Sequence, residues 1–108
     1  MLLFETFVKI GSGSMFAVRV AVAHWLDRRI SREQAVEQAA EAIAKHMRES
    51  GQSADGLTRA DIAFALYARD YYNAGHAPAW FECSDEPQDL AEDIGSVVLE
   101  RLATPVAA

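Results

Sequence analysis

Hydrophobic positions along this chain recur mostly at helical spacing. Two glycine-bearing interruptions divide them, Gly11-Ser12-Gly13-Ser14 and Gly51-Gln52-Ser53-Ala54-Asp55-Gly56. Ahead of the first, Phe4, Thr6, Val8 and Ile10 share one face at period two in a β-branched and aromatic run. That pattern predicts a short strand over Leu2 to Ile10, with a helix as the open alternative. A lone strand leaves backbone groups unpaired, so it needs a partner strand in this chain or in a second copy.

From Ser14 to Arg29 the chain is apolar almost all round, with Met15, Phe16, Val18, Val20, Val22, Trp25 and Leu26. A helix without a wet face belongs at the centre of a core. Its valines keep a strand open as the alternative, since the Gly-Ser-Gly-Ser run is able to turn a hairpin. The next segment is amphipathic. Ser31 with Gln34 three residues on makes a capping box. Val36, Ala39, Ala40, Ile43 and Met47 then recur at steps of three and four, leaving Glu33, Glu37, Glu41 and Lys45 on a solvated face. Ser50-Gly51 ends this helix.

A third helix opens with Thr58 as its cap, Asp61 at the third helical position and Leu57 placed to staple onto Ile62. Ile62, Ala65, Leu66 and Arg69 form one stripe, and Phe64, Tyr67, Ala68 and Tyr71 form another. Two stripes predict cover on more than one side, and Gly75 and Pro78 stop the helix. The fourth starts near Asp85 with Pro87 in its first turn, aligns Leu90, Ile94, Val97, Val98 and Leu102, and ends at Pro105. Gly95 costs such a helix roughly 1 kcal/mol relative to Ala, or it marks a close helix crossing. The expected fold is mainly α: a short N-terminal β-strand, then four helices in a bundle-like single domain over residues 1–108.

Composition narrows the class. The chain has 108 residues, 51% of them hydrophobic, enough for one core and too few for a second. A net charge of −6 argues against direct nucleic-acid binding and against anionic membrane surfaces, and favours a protein partner with a basic surface. Cys83 is the single cysteine, which rules out an intrachain disulfide and fits a reducing compartment. Met1-Leu2-Leu3-Phe4-Glu5 lacks the basic start of a signal peptide. The longest apolar stretch, Met15 to Leu26, contains Arg19 and His24 and is too short to span a bilayer. A cytoplasmic protein is the expectation.

Ile10-Gly11-Ser12-Gly13-Ser14-Met15-Phe16-Ala17, followed by a small-residue helix, resembles the middle of the proteasome-type threonine peptidases, the bacterial HslV kind especially. Ser31-Arg32-Glu33-Gln34-Ala35-Val36-Glu37-Gln38-Ala39 is similar to that family's second, antiparallel helix in spacing and in its alanines. The likeness covers residues 8 to 47 and implies a strand–helix–helix layout. The family's N-terminal threonine nucleophile and its supporting lysine have no counterpart here, so the resemblance carries no activity.

The remaining candidates divide into weak and strong. The glycine turn lacks the Lys-Ser or Lys-Thr of a phosphate loop and a complete GxGxxG, so it reads as a plain turn. His24, His46, His76 and Cys83 show no zinc spacing, and no metal or other cofactor is expected. His24 reads as a core histidine and His46 as a helix-surface one. Glu82, Asp85 and Glu86 would raise the Cys83 thiol pKa and so oppose a nucleophilic role. Arg28, Arg29 and Arg32 form a basic knot, read as a solvated helix junction or as a contact to the acidic segment of another copy.

That acidic segment is the strong feature: Glu82, Asp85, Glu86, Asp89, Glu92 and Asp93 fall within twelve residues with no Lys or Arg between them. Helix capping accounts for part of it. The excess reads either as a solubilising, solvated face or as a negative face offered to a basic protein groove. Just ahead stand Tyr71, Tyr72, Trp80 and Phe81, residue types that dominate binding hot spots. Trp80 and Phe81 serve equally as a lid on the core. The expected function is a non-enzymatic interaction module using these ten residues, in one version an inhibitor of a nucleic-acid-handling machine. Its size and charge resemble those of phage-borne anti-CRISPR proteins. A degenerate proteasome-like hydrolase and a self-assembling subunit, dimeric through the N-terminal strand, are the alternatives.

Overall fold

A computed structural model describes Thr6, residues 9–74 and 87–103, the side chains at 12, 13, 15, 67–74, 87 and 88 excepted. The described residues form four helices: α1 (Ser12–Leu26), α2 (Arg32–Glu49), α3 (Arg59–Ala74) and α4 (Pro87–Ala103). Among them there is no strand. Thr6, Lys9 and Ile10 have helical backbone, so at these positions the expected N-terminal strand gives way to its helical alternative. Thr6 and Ile10 are both buried. Their spacing of four is shared by the strand and the helix periods, and this is why the alternation misled. A helix in general closes its hydrogen bonds locally, where a strand needs a partner.

Among the described helices the main packing contacts set α1 on α2, α2 on α4, and α4 on α3. The order in space is therefore α1, α2, α4, α3, with α2 and α4 inside. This reverses the expectation for α1, which takes an outer place although its sequence is the most apolar. The central place goes to α2 for a steric reason. Ala35, Ala39, Ala40 and Ala44 are almost wholly buried along it, and such short side chains admit a neighbour on two sides. Ile43 and Met47 fill the space between. Leu66 and Ile62 from α3, and Leu90, Ile94 and Val98 from α4, complete one continuous core with Val18, Ala21 and Val22 of α1. Each fully buried side chain of this size contributes about 1.5–3 kcal/mol.

The helix ends follow local rules. Ser31 Oγ accepts from the Gln34 N–H at 3.0 Å, while Gln34 Oε1 accepts from the Ser31 N–H at 2.8 Å, the reciprocal capping box. Gln52 N–H donates to the Met47 carbonyl at 2.9 Å with Gly51 at φ 68°, closing α2 in the left-handed turn that glycine favours. At α3, Thr58 and Asp61 exchange the same pair of bonds, at 3.0 and 3.2 Å. The Thr58 backbone N–H, and then its hydroxyl, hold the Asp61 carboxyl below its ordinary pKa. Leu57 and Ile62 are buried in one cluster, as the staple requires.

Two glycines are fixed by close approach. A Cβ on Gly95 would stand 2.8 Å from the Arg59 carbonyl oxygen and 3.3 Å from Ile62 Cβ, so this glycine marks the tight α3–α4 crossing. Gly11 has φ 80°, and a Cβ there would meet the His46 ring. Among the described residues no helix is long and apolar enough to cross a membrane.

Candidate functional site

The ten residues expected to meet a partner divide sharply. Tyr71 and Tyr72 lie on the last turn of α3, where only the backbone is described. Trp80, Phe81, Glu82, Asp85 and Glu86 lie outside the described residues. Asp89 is exposed on the first turn of α4, and Glu92 is half-buried. Asp93 is committed within the chain: its Oδ2 is 2.9 Å from Nη2 of Arg32. The basic knot is thereby divided too, since Arg32 binds α4 while Arg28 and Arg29 stay exposed.

The face of α2 expected to be merely solvated is a charged seam against α4. Arg101 of α4 donates to both Glu37 and Glu41, and Arg48 reaches back to the Arg101 carbonyl oxygen at 3.4 Å. Arg48 Nη1 also stands 3.7 Å from Glu41 Oε1. The hydrogen bonds that Arg101 donates to Glu37 and, against the opposing effect of desolvation, to Glu41 raise its pKa, so the guanidinium stays charged at any ordinary pH. Along the seam lie two open hollows. One of 370 Å³ is lined by Arg32, Glu33, Val36, Glu37, Asp93, Ser96 and Val97, and one of 270 Å³ lies between Glu37, Val97, Glu100 and Arg101. Arg32 with Asp93, and Arg101 with Glu37 and Glu41, answer one another across the helices, which gives the seam a structural account.

His46 is not simply on the surface. Half-buried, it lays its ring where a Gly11 side chain would be, with Nε2 3.3 Å from Ser50 Oγ. The glycine turn is thus covered by imidazole, and Ser14 is buried and donates to the Ala42 carbonyl oxygen at 3.5 Å. His24 is half-buried on α1. Among the described residues no three metal-ligating side chains stand together.

The distinctive surface lies on α1, where sequence reasoning expected core. Val18, Ala21 and Val22 face inward, whereas Phe16 is 69% exposed and Val20 37%. Ala23, also exposed, extends the line by one turn. Residues 16, 20 and 23 follow a four-then-three step, a single stripe along a helix. The only other large apolar side chain so exposed among the described residues is Phe64 on α3, at 60%. At Phe64 this corrects the expectation of a covered second stripe; the side chains of Tyr67, Ala68 and Tyr71 lie outside the described residues. Exposed Arg19 lies beside the α1 stripe, and Asp27, Arg28 and Arg29 lie at its C-terminal end. The signal was present in the sequence as an excess of apolar residues, but nothing there told which side would face water. No protein-family model, no curated protein and no solved structure matches the chain.

Proposed function

We propose that this chain is a protein-interaction module whose contact surface is the outer face of α1. One observation carries the reading. Phe16, Val20 and Ala23 form an apolar stripe on the water side of a helix whose opposite side already fills a core. Single exposed apolar residues are ordinary, but an aligned set on one helix marks a place where another surface docks. The acidic rim expected to meet a basic partner contributes less. Of its described members, Asp93 is held by Arg32, leaving Asp89 exposed and Glu92 half-buried.

The test is capture of a partner from the source cells by the full chain, by Val20→Asp and by Asp89→Lys. Capture lost by Val20→Asp and kept by Asp89→Lys supports α1. Retention by Val20→Asp with loss by Asp89→Lys returns the contact to the acidic rim and ends this proposal. Circular dichroism on each variant separates a lost surface from a lost fold.

A further inference from the structure

We draw no further inference here: the strongest candidate, the apolar outer face of α1 at Phe16, Val20 and Ala23, already carries the interaction reading, and nothing in the structure shows what covers it.

Discussion

α1 and α2 are built from opposite materials and occupy the places opposite to those their compositions recommend. α1 has one charged residue in fifteen and lies at the edge of the bundle; α2 carries a charged face and lies inside it. The difference teaches that the interior position of a helix depends on how closely its neighbours approach. The alanines of α2 let α1 and α4 come close on two sides, and its Glu37 and Glu41 find Arg101 at the margin of one contact. α1 is apolar on both sides, so the face with Val18, Ala21 and Val22 is packed and the face with Phe16 and Val20 is left over.

The strongest challenge to this contrast is a pair of substitutions. Ile43→Ala in α2 should cost about 2–5 kcal/mol in chemical denaturation, because a fully buried side chain leaves a cavity. Phe16→Asp should stay within about 0.5 kcal/mol of the parent, as an exposed position does. Comparable losses from both would show that the outer face of α1 is packed and the comparison mistaken.

The α3–α4 crossing sharpens the point about close approach. Gly95→Ala gains about 1 kcal/mol of helix propensity but drives a methyl onto the Arg59 carbonyl. The net expectation is a loss of about 1–2 kcal/mol by the same measurement. A gain in stability would mean that the two helices do not approach as described.

Smaller effects probe the helix ends. Arg28 takes φ 60° just beyond the C-cap of α1, a conformation in which glycine avoids the Cβ penalty. Arg28→Gly should raise stability by about 0.5–1 kcal/mol in thermal denaturation. At α3, the Asp61 carboxyl titrates lower in the folded chain than in the unfolded one. Its contribution is therefore present above the unfolded value of about 3.9 and disappears as pH falls through the lower folded one. Acid titration followed by circular dichroism should show that increment in the parent and lose it in Asp61→Asn.

The least effect belongs to the charged seam. Arg101→Met should cost about 0.5–1 kcal/mol at low salt and less at high salt, since these groups are partly exposed. A large, salt-independent loss in denaturant titrations would identify the seam as part of the core.

Much of the fold was written locally. Ser31 with Gln34 and Thr58 with Asp61 set helix starts because a capping pair involves only residues three apart. Ser50-Gly51 set an end for the same reason. The α2 and α4 stripes named the core residues Ile43, Met47, Leu90, Ile94 and Val98, since helical periodicity fixes which side chains share a face. The candidate site was barely legible. The acidic run was visible, but the Asp93–Arg32 pair joins residues sixty-one positions apart, and no local rule couples them.

The sequence alone determined that the segments of α2, α3 and α4 would be helical, where α2 and α3 start, and which faces of α2 and α4 are apolar; for α1 it favoured a helix and left a strand open. Those properties arise from neighbours within a turn or two. Tertiary structure alone decided that Thr6 and Ile10 bury as a helix, that Glu37 and Glu41 meet Arg101, and that Phe16, Val20 and Ala23 face outward. A helix apolar on all sides carries no local instruction about which side to bury; only the order α1, α2, α4, α3 supplies it.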